Sequence, residues 1–327
     1  LYTGSRPSQS ITGVGFQPDW VWLKQRDDSN PHRLFDVIRG ATKNLSSNST
    51  DAESTQSPTL TSFNSDGFSL AGDGDVNENN ANHASWNWKA NGAGSANTDG
   101  TISSTVSASA TSGFSIVSYT GTGSLATVGH GLGVAPAMII IKNRSTTNGW
   151  EVYHQSIGNT KYLALNVTDA ALASASRWNN TSPTSTVFTV NTENGVNKSG
   201  SNLIAYCFAE KQGYSKFGSY TGNGNADGTF VYTGFKPAFV IQKQTSASGE
   251  YWMMKDNKRV GYNQTDANLY PNANNAEGDT NGIDLLSNGF KCRTTGAGSN
   301  ASGATYIYMA FAENPFVTST GVPATAR

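Results

Sequence analysis

This 327-residue chain predicts an all-β protein of three tandem antiparallel β-sandwiches, jelly-roll and lectin-like in type, on three observations. Charged residues make up only 14% of it and glycines number 35. With Ser, Thr and Asn filling the gap, that composition favours short strands and many turns, because Gly, Asn and Ser supply turn conformations while Thr and aromatics suit a pleated surface. A proline six residues ahead of a lysine recurs, as Pro18 and Lys24, Pro136 and Lys142, Pro237 and Lys243, at domain-sized spacing. Between each proline and lysine both alternating faces are mostly apolar: Trp20 and Trp22 against Val21 and Leu23, Met138 and Ile140 against Ile139 and Ile141, Phe239 and Ile241 against Val240 and Gln242. A strand apolar on both sides is a central strand, covered above and below.

The remaining landmarks of each unit keep the same register. Each opens on "YTG", at Tyr2, Tyr119 and Tyr220. Pro and Gly then fix the turn into the central strand, since Pro limits φ and cannot donate to a ladder. Phe35, Trp150 and Trp252 follow in a second strand and are expected in the core. The pairs Gly67-Phe68, Val187-Phe188 and Gly289-Phe290 start another strand, where "SDGF" and "SNGF" read as turn-then-strand signals. Each unit closes on an aromatic strand, "ASWNWKA", "LIAYCFAE" or "YIYMAFAE", preceded by Asn77, Asn197 or Asn300. Three differing sequences that keep the same residues must satisfy the same local geometry.

These landmarks set the expected layout: a first sandwich over 1–90, an extended pairing segment over 91–118, a second sandwich over 119–213, a third over 214–316 and a tail over 317–327. Units of about 100 residues can each hold a core, so the expected arrangement is beads on a string, with the second and third held more closely by their short junction. The chain starts at Leu1 without a signal-peptide pattern, and an attachment segment is expected upstream.

Repetition also sorts the candidate residues. A sugar platform at Trp20 and Trp22 would not become Met and Ile in sister units, whereas a core position would, so both are assigned to packing. Cys207 and Cys292 lie far apart and outside any metal spacing, and are read as buried thiols. The four histidines, His32, His83, His130 and His154, occupy different places in their units and are expected at surfaces or turns. Asp73, Asp75 and Asn77 alternate as calcium ligands do, but the terminal glutamate of such a loop is missing. A polar turn is expected there, with no metal and no cofactor. Glu210 and Glu313 are equivalent, yet Ala90 replaces them in the first unit, so they are read as surface groups. No nucleophile elbow, zinc-binding helix or phosphate loop is present, and no enzyme activity is expected. For carbohydrate the candidate is Trp178 with Asn179 and Asn180, an indole set among amides in a polar loop.

Net charge is −1, with the 22 basic residues scattered, which argues against nucleic-acid binding. No apolar run reaches the ~18 residues of a membrane span.

"GFQPDWVWLKQR", "TSFNSDGFSL", "YTGTGSLATVGHGLGVAPAMIIIKNRS" and "YIYMAFAENPF" resemble the repeat domains of uncharacterised virion proteins of tailed bacteriophages, especially marine ones. The resemblance implies a tail-fibre or other virion-surface, extracellular protein without established catalytic residues. The expected function is non-enzymatic adhesion, with loops presented to host-surface polysaccharide and with other virion proteins and further copies of the chain as partners. The alternative is a structural subunit that decorates or builds a particle or filament, and a polysaccharide depolymerase ranks third.

Overall fold

The computed structural model describes residues 1–259, 263–314, 316–317 and 323–324. It is an all-β protein of several antiparallel sheets, consistent with the sandwich class. Of the expected tail, only the pairing of Phe316–Val317 with Pro323–Ala324 is described; the rest lies outside the described residues.

One four-strand order recurs three times: a leading strand, a closing strand, a central strand and a flanking strand. In the first repeat these are Tyr2–Thr3, Asn82–Trp88, Trp20–Gln25 and Arg33–Asp36. In the second they are Phe114–Thr120, Asn202–Phe208, Met138–Asn143 and Trp150–His154, and in the third Ser215–Thr221, Thr305–Ala312, Pro237–Gln244 and Met253–Asp256. Residues 95–109 contribute two further strands that extend the second repeat's sheet beyond its leading strand. A smaller outer sheet accompanies each repeat, seeded by Gln9–Ile11 with Gly67–Leu70, by Ala126–Gly129 with Val187–Val190, and by Phe230–Tyr232 with Gly289–Cys292.

The "YTG" and Asn signatures acquire one physical explanation. The hydroxyls of Tyr2, Tyr119 and Tyr220 donate to the carbonyls of Val76, Val196 and Ser299 at 2.6–2.7 Å. A Cβ on Gly4, Gly121 or Gly222 would lie 2.0, 2.3 or 2.3 Å from a backbone carbonyl oxygen, so only glycine fits this approach. Asn77, Asn197 and Asn300 lock it from the other side, each accepting the backbone N–H next after that glycine (Ser5, Thr122, Asn223) at 2.8–3.0 Å.

Each four-strand sheet has two covered faces. One packs on its own outer sheet: Val21, Leu23 and Phe35 meet Phe68 and Leu70 in the first repeat, Ile139 and Ile141 meet Phe188 and Val190 in the second, and Val240 meets Phe290 and Cys292 in the third. The other face belongs to a core common to all three repeats, where Trp20, Trp22 and Trp88 join Phe114, Met138, Tyr206 and Phe208 and also Phe217, Phe239 and Phe311. This corrects the beads-on-a-string expectation: the repeats share their largest apolar cluster. The reason lies in the central strands, whose second apolar face finds its cover on sister repeats.

Candidate functional site

Several buried polar groups join the repeats to one another. The backbone N–H of Glu53 donates to Arg144 O, that of Ala171 to Thr245 O, and that of Glu277 to Arg26 O, at 2.9, 3.0 and 2.7 Å. These bonds run from the first repeat to the second, the second to the third, and the third back to the first, so the ring closes. Lys142 donates to Thr50 O in the first repeat (2.9 Å) and Lys243 to Thr168 O in the second (3.1 Å). Burial lowers the pKa of Lys24, Lys142 and Lys243 to about 8, because a desolvated ammonium loses hydration that carbonyls only partly replace. Trp150 Nε1 donates to Ser46 O and Trp252 Nε1 to Ala164 O, at 2.9 and 3.0 Å.

Asp36, His154 and Asp256 end the flanking strands at equivalent registers, opposite Trp20, Met138 and Phe239. Each reaches the closing strand of the next repeat: Tyr206 Oη donates to Asp36 (2.8 Å), His154 Nε2 to Tyr308 O (3.2 Å) and Trp86 Nε1 to Asp256 (3.1 Å). Arg39 and Arg259, three residues beyond the aspartates, pair with them. Burial opposes the Asp256 charge, and Arg259 outweighs it, leaving the carboxyl below its usual range. Glu53 then pairs with Arg39 and Arg144, and Glu277 with Arg259 and Arg26, bridging two seams with charge. The seam between the second and third repeats carries Ala171 and Thr245 at the same positions.

The four histidines are all fully buried, which overturns their expected placement at surfaces. They pack and bond within the fold: His32 Nδ1 accepts from Trp22 Nε1 at 2.8 Å, His130 Nδ1 accepts from Leu132 N at 3.2 Å, and His83 stacks on Tyr2 at 5.0 Å. Desolvation holds His83 and His154 down at about 4. Asp73 caps a short helix and Asp75 pairs with Arg33, so their oxygens serve the fold. No group of three or more His, Cys, Asp or Glu side chains gathers as a metal site among the described residues, and no described helix is long and apolar enough to cross a membrane. Cys207 and Cys292 are buried free thiols, their pKa pushed up by burial.

Trp178 is only 2% exposed. Its Nε1 donates to Lys161 O at 3.1 Å and its ring meets Tyr153 edge-on at 6.0 Å. An indole covered in this way has no face for a sugar, which corrects the expected stacking role. Asn180 is exposed, and Asn179, half-buried, accepts from Asn191 at 3.3 Å.

A different aromatic pair is open to solvent. Phe230 and Tyr232 lie on an edge strand of the third repeat's outer sheet and are 44% and 63% exposed, with Val231 between them buried. Alternation places both rings on the outward face. Phe230 lies opposite Lys291 and Tyr232 opposite Gly289. The ring of Phe230 closes over Gly289, where an added Cβ would stand 3.0 Å from it. Lys291 pairs with Asp227 at 2.5 Å, and Arg293 reaches Asp284 at 3.4 Å. The Lys291 ammonium holds the exposed Asp227 carboxyl below its usual range. Sister positions, fixed by the pairings of Ile11 with Phe68, Val128 with Phe188 and Val231 with Phe290, carry Ser10 and Thr12 or Thr127 and Gly129. The fold therefore does not require these rings. The signal was present in the sequence, as aromatics at positions where the sister repeats are small and polar.

A family model described as "Domain of unknown function (DUF7483)" matches residues 1–315. No curated protein matches the chain, and no solved structure does.

Proposed function

The chain belongs to the DUF7483 family, and we propose that it is a non-enzymatic adhesion protein of a virion surface whose Phe230 and Tyr232 platform stacks on host-surface glycan. The carrying observation is the exposed pair on an edge strand, at positions where two sister repeats manage with small residues. Aromatic faces suit the apolar faces of sugar rings, and the Lys291, Asp227, Asp284 and Arg293 groups at the rim can bond hydroxyls. Use of Asp36, Asp256, Glu53, Glu277, Lys142, Lys243 and His154 in contacts between repeats supports a role without catalysis. In this reading each repeat is a jelly-roll sandwich and the closed ring is a stiff mount for its outer loops. Attribution to a virion rests on the resemblance of the repeat motifs.

The test is a glycan array of host-surface polysaccharides with the full chain and with a Phe230→Thr, Tyr232→Thr variant. Selective binding lost in the variant, with unchanged thermal melting, supports the reading. Absence of binding to every glycan, or equal binding by both proteins, overturns it.

A further inference from the structure

The outer sheet of the third repeat carries charges that its sisters lack, and they stand beside the exposed aromatic pair. Ile283, Leu285, Phe290 and Cys292 face the repeat's own core, so alternation turns Asp284, Gly289, Lys291 and Arg293 outward with Phe230 and Tyr232. Pairing arranges them in rows. Tyr232, Gly289 and Leu286 lie side by side across three strands, and Phe230, Lys291 and Asp284 form the next row. Arg293 belongs to the row after that, with its backbone N–H bonded to Gly282 O at 2.9 Å. It is therefore the diagonal neighbour of Phe230, at a spacing of about 7–8 Å.

Phe290 aligns with Phe68 and Phe188, so Lys291 stands where the sister repeats have Ser69 and Thr189, and Arg293 where they have Ala71 and Asn191. Opposite Ser69 the first repeat has Ser62 in place of Asp284. That row is one of hydroxyls, with Ser10 Oγ 3.1 Å from Ser69 Oγ. The fold is thus built twice without these charges, as it is without the two rings. In the third repeat the charges are unevenly satisfied. Lys291 Nζ lies 2.5 Å from Asp227 and neutralises it. The Arg293 side chain is 40% exposed, and its guanidinium reaches Asp284 only at 3.4 Å and Asp227 only at 3.8 Å. Charge-assisted bonds of a guanidinium are about 2.7–2.9 Å long, and neither contact is that short.

We propose that Arg293 takes the carboxylate of an acidic sugar, so that the glycan stacked on Phe230 and Tyr232 is a polyuronate. The inference rests on the platform reading and narrows its ligand from glycans in general to one chemical class. A carboxylate is planar, as the guanidinium is, and the two form a pair of parallel N–H···O bonds that a hydroxyl cannot reproduce. Bound there, it replaces two long contacts with two short ones. Asp227, the most exposed acid of the group, is already matched by Lys291, which limits its repulsion of the incoming anion. Lys291 sits between Arg293 and Gly289 on the same face and adds a second positive charge beneath the same stretch of glycan.

The probes are oligomers of mannuronate, guluronate, galacturonate and glucuronate, each beside its carboxyl-reduced counterpart of the same linkage, titrated into the full chain by calorimetry. The expected result is a uronate that binds roughly tenfold or more tighter than its reduced form, with a difference that shrinks as salt is raised. In Arg293→Gln that difference falls to about twofold or less, and Arg293→Lys, which keeps the charge and loses the fork, recovers only part of it. The wild-type comparison needs no variant, so it holds even if a substitution disturbs folding. Equal binding of the uronates and their reduced forms, lost in the Phe230→Thr, Tyr232→Thr variant, overturns this inference and leaves the platform standing. Absence of binding to every uronate also overturns it, and the platform then stands or falls on the neutral glycans of the wider array. A uronate preference that persists undiminished in Arg293→Gln overturns the assignment to Arg293.

Discussion

Phe208 is the point at which the common core can be tested. Its ring lies 5.9 Å from Trp20 and 6.5 Å from Trp88 in the first repeat, 4.9 Å from Phe114 in its own, and 6.0 and 6.2 Å from Phe217 and Phe311 in the third. It is 1% exposed. Phe208→Ala removes a buried ring and leaves a void; such changes cost about 3–5 kcal/mol. The upper half applies here, because aromatic pairs add roughly 0.5–1.5 kcal/mol beyond the area they bury. Against a total stability of about 5–15 kcal/mol the loss is large. Two free thiols report on where it is felt, Cys207 in the second repeat and Cys292 in the third, both buried and with raised pKa. Labelling both across a urea series and quantifying each by mass spectrometry gives two midpoints. With a shared core, Phe208→Ala moves both downward together. If the Cys292 midpoint stays at its wild-type value while that of Cys207 falls, the third repeat unfolds independently and the reasoning is refuted.

Glu277→Gln breaks the charged bridge from the third repeat to the first, in which Glu277 accepts from Arg26 at 2.7 and 2.9 Å and from the fully buried Arg259 at 3.0 Å; removing one partner of a buried pair places the loss at about 3 kcal/mol, read as a lower urea midpoint, whereas Thr245→Ser at the neutral seam costs less than about 0.5 kcal/mol. His154, held at about 4 against an ordinary 6.5, makes the protein acid-sensitive. Between those values the unfolded chain binds a proton that the folded one refuses, so stability is full above pH 6.5 and falls by about 3 kcal/mol as pH drops to 4; His154→Gln flattens that share of the profile in denaturation measured at stepped pH. Phe230→Thr with Tyr232→Thr leaves the thermal midpoint nearly unchanged, within about 0.5 kcal/mol per site, because Tyr232 is mostly and Phe230 nearly half in solvent; a large drop shows them to be structural.

The strand register of each repeat was legible because proline, lysine, tyrosine, glycine and asparagine recur where the backbone needs a particular bond or a missing Cβ. The packing of repeats on one another was not. Trp20, Met138 and Phe239 look alike whether the second face of their strand is covered by the same repeat or by another. Glu53 and Glu277 gave no sign either, since their partners Arg144 and Arg26 lie 91 and 251 residues away. The histidines misled because imidazole is polar, yet its tautomers can satisfy a buried donor and acceptor, as His154 does with Ser156 N and Tyr308 O. Trp178 has polar neighbours in sequence, but its ring lies against Tyr153 and the Lys161 carbonyl of other strands, which sequence proximity does not show. Phe230 and Tyr232 stand out only where the repeats differ, so the landmarks that the repeats share do not reveal them.

Closure of the ring from the third repeat onto the first also sets a timetable for synthesis. Trp86 waits for Asp256, and Trp88 for Phe239 and Phe311. At ribosomal rates of about 5–20 residues per second, the roughly 220 residues between Trp88 and Phe311 take on the order of 10–45 s to emerge. For that interval the nascent first repeat presents a greasy, partnerless flank to the cell, and holding it apart from other unfinished chains becomes a task for chaperones.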